Sequence, residues 1–325
     1  MKNIKYFIGP MSKNVVDACV NFSNSTGKKI AFIPSRRQVE YDGGYVNNWT
    51  TEQFANHSKS KNIFLCRDHA GPEQGLESDD GYRSLEEDCK YLDLIHIDPW
   101  KKANDLEGGI NMTAEMISFC HNLNSQIKFE VGTEQSIREF TPSELDKMLC
   151  TLKEMLTHQQ FEKIVFCVIQ SGTALERNVN TGVYDSSRLR DMIDVVKTHG
   201  LASKEHNGDY LSTDLIQEKF NLGLDAINIA PEFGQIETKT YLDKIRSHRI
   251  DLLEEYWSIC YKSKRWEKWV TADFNPEEQK EELINICGHY VLSTEEFLKN
   301  IKQHFPNIDK EIKRSVQSKL ESLGW

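Results

Sequence analysis

Eight short runs of apolar and β-branched residues, separated by longer segments with helical spacing, constrain this sequence more than any other feature. The runs cover 4–8, 29–34, 62–66, 92–97, 126–131, 163–169, 200–205 and 225–229. Strand-length runs that alternate with helical segments are typical of repeated β-α units with a parallel sheet. Eight such units close a barrel, so the sequence predicts an α/β fold, a (β/α)8 TIM barrel. Thr50 and Thr141 stand where helix N-caps are expected, and Gly200 stands where a helix should end.

The pattern changes after residue 230, because no strand-like run follows the eighth one. Residues 236–262 and 276–322 have helical spacing instead. We therefore expect residues 1–235 to form the barrel core and residues 236–325 to form a C-terminal helical extension that packs on one side of it. A length of 325 residues suits one barrel with such an addition.

Charge and hydropathy exclude two classes of partner. The formal net charge of −10 opposes binding to a nucleic-acid backbone, which depends on Lys and Arg, and the aromatic and basic segment 256–269 is better explained by helix packing. No apolar run approaches the roughly 20 residues that cross a bilayer. We expect neither nucleic acid nor a membrane as partner. The eight cysteines include no C-x-x-C pair and several lie in apolar runs, so we expect them to be reduced and the protein to be cytoplasmic.

Polar residues close nearly every predicted strand, which is where parallel barrels carry their active sites. Asp68 and His69 follow the third run, and His206 follows the seventh. Asp98 and Glu130 lie at the ends of the fourth and fifth runs. Imidazole and carboxylate groups suit zinc, and a catalytic zinc keeps one position open for substrate. The sequence therefore predicts a site for zinc or another divalent metal at His69 and His206, with a nearby carboxylate from Asp68, Asp98, Glu130, Glu134 or Glu205.

Each of these assignments has a structural alternative. A histidine at a strand end can donate to a backbone carbonyl instead, and His96 lies one residue inside its strand, where it would face the barrel wall. Asp98 and Glu130 could form ion pairs with Lys128 or Arg67. The convergence of several such side chains at one rim favours the metal site.

Other strand ends contain candidates for substrate contacts. Arg36 and Arg37 can hold a phosphate or carboxylate through bidentate hydrogen bonds, or they can form salt bridges with Glu40 and Asp42. Gly44 can let a ligand approach the backbone, or it can make a turn. The residues that we expect to contact substrate are Ser35, Arg36, Gln38, Gly44, Gln170 and Asn228.

Seven polar segments carry a family resemblance. They cover 32–45, 49–54, 68–72, 95–98, 131–134, 170–172 and 205–210. Together, in unbroken order over roughly residues 5–235, they resemble the GatZ/KbaZ family. Members of that family are the so-called non-catalytic subunits of class II D-tagatose-1,6-bisphosphate aldolases, so the resemblance implies a partner aldolase subunit.

The GatZ/KbaZ family is similar in turn to the class II aldolases, which are zinc-dependent barrels that stabilise an enediolate. That resemblance implies that Asp68 gives or takes a proton beside the metal and that His69 and His206 are metal ligands. It also implies that Asp98 and Glu130 lie at a second metal position nearby, and that Asn228 touches substrate.

Two segments depart from the class II aldolase pattern. Those enzymes supply a third histidine after the sixth strand, whereas this chain has no histidine in 170–176, so Gln170, Glu176 or Glu134 would have to complete the metal shell. Their Gly-Ser-rich phosphate loop is replaced here by 207–210, in which Asp209 would repel a phosphate. The sequence therefore disfavours a bisphosphate substrate.

The interpretation that best fits these residues is a metal-dependent aldolase acting on a sugar or sugar phosphate through an enediolate, with Asp68, Glu134 and Asp209 as its catalytic groups. A metal-dependent sugar epimerase or isomerase would use the same site. A non-catalytic stabilising subunit of a tagatose-bisphosphate aldolase is the third alternative. Under each interpretation we expect a sugar or sugar phosphate as the small-molecule partner, and a homo-oligomer or a partner aldolase subunit as the protein partner.

Overall fold

Eight parallel strands form a closed barrel in the computed structural model, which describes residues 2–177 and 179–325. The described residues contain ten strands in all, which are β1 (Tyr6–Ile8), β2 (Ile30–Phe32), β3 (Ile63–Ala70), β4 (Leu94–Ile97), β5 (Lys128–Val131), β6 (Ile164–Ile169), β7 (Leu175–Glu176), β8 (Val179–Asn180), β9 (Ala202–Glu205) and β10 (Ala226–Ile229). β7 and β8 form an antiparallel hairpin after β6. The other strands pair in parallel with their neighbours, and β1 closes the barrel against β10 with Phe7 opposite Asn228. The predicted TIM barrel is confirmed.

Helices alternate with the barrel strands and surround them. They are α1 (Lys13–Thr26), α2 (Thr51–Ser58), α3 (Tyr82–Tyr91), α4 (Leu106–Leu123), α5 (Pro142–Met155), α6 (His158–Phe161), α7 (Ser186–Thr198), α8 (Thr213–Asn221), α9 (Pro231–His248), α10 (Leu253–Lys262), α11 (Lys280–Cys287), α12 (Glu295–Asn300) and α13 (Ile308–Glu321). The expected caps are confirmed: Thr50 and Thr141 both form capping boxes, and Gly200, with φ 74°, follows α7.

Successive residues of each strand point to opposite sides of the barrel wall. Phe7, Cys66, Leu94 and Phe166 pack with one another inside the barrel. Ile95 points the other way and packs among residues of the surrounding helices. This alternation decides which side chains near the strand ends face the barrel axis.

The extension is more broken than its helical spacing indicates. α9 begins at Pro231, directly after β10, and runs through residue 236 to His248, so the division between core and extension at that position stays a prediction. The long helical segments expected beyond it are divided into α10 to α13 and four short 3-10 turns, at Ile250–Leu252, Glu267–Trp269, Gly288–Tyr290 and Lys302–His304. Pro306, which lacks a backbone donor, lies in the break before α13. α13 packs against α1 and α9 and so covers one side of the barrel.

Two further observations concern the sequence-based expectations. None of the described helices combines the length and the apolar character that crossing a membrane requires. All eight cysteines are unpaired, and Cys150 is exposed whereas the others are buried.

Arg67 ties the third strand to the layer outside it. Its guanidinium donates to both carboxylate oxygens of Asp88, at 2.6 and 2.9 Å, and to the backbone oxygen of Val39 at 2.6 Å. Arg67 and Asp88 are both fully buried. The alternative in which Arg67 pairs with Asp98 or Glu130 is therefore wrong, because Arg67 points away from the barrel axis.

We expect Asp88→Ala to destabilise the protein by about 3–5 kcal/mol, because the mutation leaves the charge of Arg67 buried without its partner. Equilibrium unfolding in urea measures the change. Glu86→Ala on the same helix is the matched control, since Glu86 forms an exposed ion pair with Arg83 and its loss should change stability little. Equal effects of the two substitutions would contradict the assignment.

Candidate metal centre

Three imidazole rings form a nearly equilateral triangle at the carboxyl ends of the barrel strands. His69 lies in β3, His96 in β4, and His206 directly after β9. The distance between ring centroids is 5.0 Å for His69 and His96, 5.2 Å for His69 and His206, and 5.0 Å for His96 and His206. The barrel thus brings together three side chains that are far apart in the sequence.

An irregularity in β3 directs Asp68 and His69 to the same side. Adjacent residues of a regular strand point to opposite faces, yet both of these side chains line the cavity at the barrel mouth. His69 has φ 49°, in the left-handed region, and the register of β3 against β4 shifts between Arg67 and Ala70. Such a backbone costs on the order of 1–2 kcal/mol for a residue other than glycine. The distortion is the local reason that an adjacent carboxylate and imidazole can act together.

Each imidazole has one nitrogen held by an acceptor on the outer side of the triangle. Nδ1 of His69 lies 2.5 Å from Oδ2 of Asp98, and Nε2 of His206 lies 2.9 Å from Oε1 of Glu130. Nε2 of His96 lies 2.8 Å from the backbone oxygen of Gly132. When these nitrogens donate, the remaining nitrogen of each ring carries a free lone pair. Metal-binding histidines are usually oriented in this way.

The remaining nitrogens surround the carboxylate of Asp68. Oδ2 of Asp68 lies 3.8 Å from Nε2 of His69, and Oδ1 lies 3.8 Å from Nδ1 of His96 and 3.9 Å from Nδ1 of His206. These separations exceed hydrogen-bonding distance and approach the roughly 3.4 Å between two ligands of a tetrahedral zinc ion. Nδ1 of His96 also accepts a 3.2 Å hydrogen bond from the backbone of His69. One ligand atom from each of the four residues lies within 4.8 Å of the others, so the group could hold a metal ion.

Charges inside the cluster favour a cation at its centre. Burial would raise the pKa of Asp68, but the neighbouring histidines outweigh burial and hold that pKa far below its ordinary value. Burial would lower the pKa of His69, but Asp68 and Asp98 outweigh it and raise that pKa to about 10. Without a metal His69 is therefore an imidazolium with a proton on both ring nitrogens, and metal binding would displace one of these protons.

His96 is the member of the triangle that the sequence reasoning left out. It was assigned to the barrel wall, and Gln170, Glu176 or Glu134 was expected to complete the metal shell. The missed signal is the alternation within β4: Leu94 faces the barrel interior, so His96 and Asp98, two and four residues later, face it as well.

Lys204 is a second residue that the sequence reasoning missed. It is fully buried inside the barrel, where its ammonium forms an ion pair with Glu130 and lies 4.0 Å from the ring centroid of Phe7. Burial would raise the pKa of Glu130, but Lys204 outweighs it and lowers that pKa to about 2. Lys204, rather than Lys128, thus keeps Glu130 ionised as an acceptor for His206.

Asp98 and Glu130 therefore lie on the outer side of two imidazoles. Oδ2 of Asp98 also accepts from Thr133 and Gln74, both at 3.2 Å, which fixes its orientation toward His69. The assignment of Asp98 and Glu130 as direct ligands stays a prediction. Their contacts favour an orienting role.

A cavity of about 210 Å³ opens beside Asp68 and His69. Its lining includes eight of the residues proposed from the sequence: Ser35, Gln38, Asp68, His69, Glu134, His206, Asp209 and Asn228. The extension contributes Lys268, Trp269 and Tyr290 to the same lining. The wall of the cavity is therefore shared by the barrel and the extension.

Arg36 and Gly44, two of the proposed substrate contacts, do not line this cavity. Arg36 is buried, and its guanidinium donates to Glu40 at 2.6 Å, to both carboxylate oxygens of Asp79, and to the backbone oxygen of Gly71. A Cβ at Gly44 would lie 2.2 Å from the backbone oxygen of Gln38, so glycine allows two backbone segments to approach each other. Both residues support the loop after β2, and their contact with substrate stays a prediction.

Gln170 is also held by backbone groups and lies outside the cavity lining. Its Oε1 accepts from the backbone of Phe140 at 2.9 Å, and its Nε2 donates to the backbone oxygens of Thr133 and Arg138 at 2.9 and 2.8 Å. Gln170 therefore orders the loop after β5. Its contact with substrate stays a prediction.

Asn228 and Asp209 present polar atoms to the cavity from the last barrel units. Nδ2 of Asn228 donates weakly to Asp68 at 3.4 Å, while Oδ1 is buried without a partner among the described residues. Oδ1 of Asp209 accepts from the backbone N–H groups of Ala230 and Glu232 at 3.0 and 2.8 Å, at the start of α9. Burial nevertheless raises the pKa of Asp209 to about 8. At neutral pH the cavity thus contains an ionised carboxylate, Asp68, and a largely protonated one, Asp209.

A second group with metal-ligand chemistry lies on the outer surface. Asp146 and Cys150 of α5 approach His199 at the end of α7, with Nε2 of His199 2.8 Å from Asp146. Asp146 and Cys150 are exposed. None of these three residues lines the cavity.

Neither models of protein families nor curated proteins match the sequence. Solved structures do match. A probable tagatose 6-phosphate kinase from Sinorhizobium meliloti 1021 superposes with a TM-score of 0.74 at 15% identity over 98% of each chain. The fructuronate-tagaturonate epimerase UxaE from Cohnella laeviribosi gives a TM-score of 0.62 at 10% identity, over 99% of this chain and 82% of that one. A fructose-bisphosphate aldolase from Campylobacter jejuni gives 0.59 at 11% identity, over 99% and 90%. At these identities the likeness shows the fold.

The raised pKa of Asp209 predicts how stability depends on pH. Its carboxyl titrates near 3.8 when unfolded and near 8 when folded, so the unfolded state loses its proton first. The contribution of Asp209 to stability is therefore complete below pH about 4 and is lost as the pH rises to about 8. We expect the melting temperature of Asp209→Asn to fall less than that of the wild type between pH 5 and pH 8. The exposed control Asp191→Asn should follow the wild type over this pH range. If the melting temperature of Asp209→Asn depends on pH in the same way as that of the wild type, the assignment is contradicted.

Proposed function

We propose that this chain is a metal-dependent enzyme of the class II aldolase type that acts on a small sugar with adjacent hydroxyl and carbonyl oxygens. The observation that carries the proposal is the triangle of His69, His96 and His206 around Asp68. Each ring has its outer nitrogen held by an acceptor and its inner nitrogen directed toward Asp68. Once His69 releases its second ring proton and Nδ1 of His96 gives up the hydrogen bond from the backbone of His69, three lone pairs face one point, and zinc prefers such nitrogen donors.

The three histidines would hold the metal, while Asp98, Glu130 and the backbone oxygen of Gly132 would orient their rings. A bound zinc supplies Lewis-acid stabilisation of the negative charge that develops beside a carbonyl group. The role of this chain's other residues follows from their positions around that centre.

Asp68 is placed to move the proton. Its carboxylate faces all three imidazoles and lines the cavity, a position from which it can take a proton from a bound substrate. Asp209 carries the opposite protonation state at neutral pH and can act as the acid. Two carboxyl groups whose surroundings separate their pKa values support an assignment of base and acid. Glu134 lines the same cavity and stays a candidate for a second proton transfer.

The cavity supports a small polar substrate. Its volume of about 210 Å³ lies below the roughly 300–1,000 Å³ of pockets for drug-sized ligands. Ser35, Gln38 and Asn228 line it, and the unpartnered Oδ1 of Asn228 offers an acceptor for a substrate hydroxyl. These groups suit a sugar rather than an apolar ligand.

Epimerisation is the alternative that a specific observation favours. Inverting a carbon requires a base and an acid, and Asp68 and Asp209 provide both in one cavity. Aldol cleavage and epimerisation both begin from charge development beside the carbonyl and differ in which bond breaks.

A role as the stabilising subunit of a tagatose-bisphosphate aldolase, which the GatZ/KbaZ resemblance implies, is the weaker alternative. A subunit without chemistry would not require the distorted backbone at His69 or the buried Lys204 behind Glu130. A homo-oligomer and a complex with an aldolase chain both remain compatible with the proposed activity.

We expect purified protein to bind about one zinc ion per chain. His69→Ala, His96→Ala and His206→Ala should each lose that zinc, because each removes one nitrogen ligand. Asp98→Asn should weaken zinc binding about 10- to 100-fold by loosening the ring of His69. Elemental analysis and competition with a zinc chelator measure the effects.

His199→Ala is the matched control for the zinc measurement, since it removes a histidine from the outer-surface group. Zinc retained by His96→Ala and lost by His199→Ala would show that the metal binds elsewhere.

We expect Asp68→Asn to slow proton exchange about 10²- to 10⁴-fold while zinc remains bound, because the amide cannot accept a proton. Solvent deuterium entering the carbon next to the carbonyl of dihydroxyacetone, ketohexoses and their phosphates or uronates measures this step. Aldehyde formation distinguishes cleavage from epimerisation. A zinc-loaded wild type that exchanges none of these compounds would favour the non-catalytic alternative.

A further inference from the structure

Lys268 lines the cavity, and three further basic side chains lie close enough to act on its charge, although the chain as a whole carries a net charge of −10. Arg37 follows β2 and Lys101 follows β4, while Arg265 and Lys268 belong to the extension. Lys268 lines the cavity itself, together with the aromatic rings of Trp269 and Tyr290. The ammonium of Lys268 lies 4.4 Å from the ring centroid of Trp269, and the guanidinium of Arg265 lies 5.8 Å from that of Tyr290.

These four cations have no carboxylate partner. Within residues 2–177 and 179–325, no Asp or Glu lies within 4.0 Å of their charged nitrogens, whereas Arg246 and Lys280 of the extension pair with Glu281 and Glu254. Nε of Arg37 donates to the backbone oxygen of Gly75 at 2.9 Å, and Nζ of Lys101 donates to Gln74 at 2.5 Å. The positive charge at the mouth therefore stays uncompensated.

The cations are close enough to repel one another. Lys268 and Lys101 are exposed at the surface. Desolvation by the surrounding protein, and then the charges of Arg37, Arg265 and Lys101, still lower the pKa of Lys268 to about 8. Desolvation and Arg37 likewise lower the pKa of Lys101. A group of like charges without partners is costly, and an anion bound among them relieves the cost.

We propose that Arg37, Lys101, Arg265 and Lys268 form a subsite for the anionic end group, a phosphate or a carboxylate, of the sugar whose hydroxyl and carbonyl oxygens face the histidine triangle. This inference rests on the proposed function, because it places the anion at the end of the substrate remote from the metal. Phosphate and carboxylate are both ligands that Arg and Lys bind well.

The negative groups nearby do not cancel this subsite. Glu134 and Asp68 line the same cavity, and with Asp98 they act on Lys101, but none of the three forms an ion pair with a member of the group, and Asp68 and Asp98 face the histidines. Oε1 of Glu134 accepts a 2.7 Å hydrogen bond from Ser136. Asp209 is buried, and its carboxyl oxygen accepts hydrogen bonds from two backbone N–H groups at the start of α9. The expectation that Asp209 repels a phosphate stays a prediction, and the cations that the extension brings from far along the chain oppose it.

The test uses the zinc-loaded protein and calorimetric titration with hydroxamates of three- to six-carbon sugar acids. The hydroxamate copies adjacent hydroxyl and carbonyl oxygens, and the other end carries a hydroxyl, a carboxylate or a phosphate. We expect at least one charged compound to bind about tenfold or more tightly than its hydroxyl counterpart. Lys268→Ala should remove most of that preference and leave the affinity of the hydroxyl compound within about twofold. Arg265→Ala should act in the same direction.

Lys262→Ala is the control, because Lys262 lies on the same segment and pairs with Glu296 on the surface. The subsite is refuted if no chain length shows a preference for a charged end, or if the preference survives in Lys268→Ala and Arg265→Ala. If the hydroxyl compound binds equally well without zinc, the result counts against the proposed function. The subsite would still be supported in that case, provided that the charge preference is lost in Lys268→Ala. The relative affinities of carboxylate and phosphate compounds identify the end group.

Discussion

The orientation of three buried imidazoles is the constraint on which the rest of the site depends. A histidine has two ring nitrogens, and only an acceptor on one of them determines which nitrogen keeps its lone pair. Asp98 and Glu130 provide that acceptor for His69 and His206, and Lys204 keeps Glu130 charged behind His206. The buried polar residues at the barrel mouth thus orient the rings so that one nitrogen of each faces the same point.

The sequence was sufficient for the barrel and for part of this site. Eight apolar runs indicate eight strands directly, because a strand buried on both faces needs continuous apolar residues. Asp68, His69 and His206 could be found because polar residues at strand ends are exposed to a common rim. His96 and Lys204 could not be found in this way, since they lie inside their strands. Their roles depend on which face of the barrel wall each residue occupies.

The assignment of Arg36 and Gln170 as substrate contacts gains no support from the structure, because residues of neighbouring loops take up the hydrogen-bonding groups of both side chains. Arg36 lies in a motif that suits anion binding, yet Glu40, four residues later, and Asp79, from another loop, occupy its donors. Gln170 was a candidate to complete the metal shell, yet backbone groups of the loop after β5 take up its amide. The extension had no expected role at the cavity, but Lys268 and Tyr290 reach its mouth.

The central claim is that one metal ion binds between His69, His96 and His206. Diffraction from zinc-containing crystals, recorded at the zinc absorption edge, tests it most directly by locating the ion. The account predicts one anomalous peak about 2.0–2.1 Å from Nε2 of His69, Nδ1 of His96 and Nδ1 of His206. A map without a peak between these rings, or with zinc only beside Cys150 and His199 on the outer surface, would contradict it.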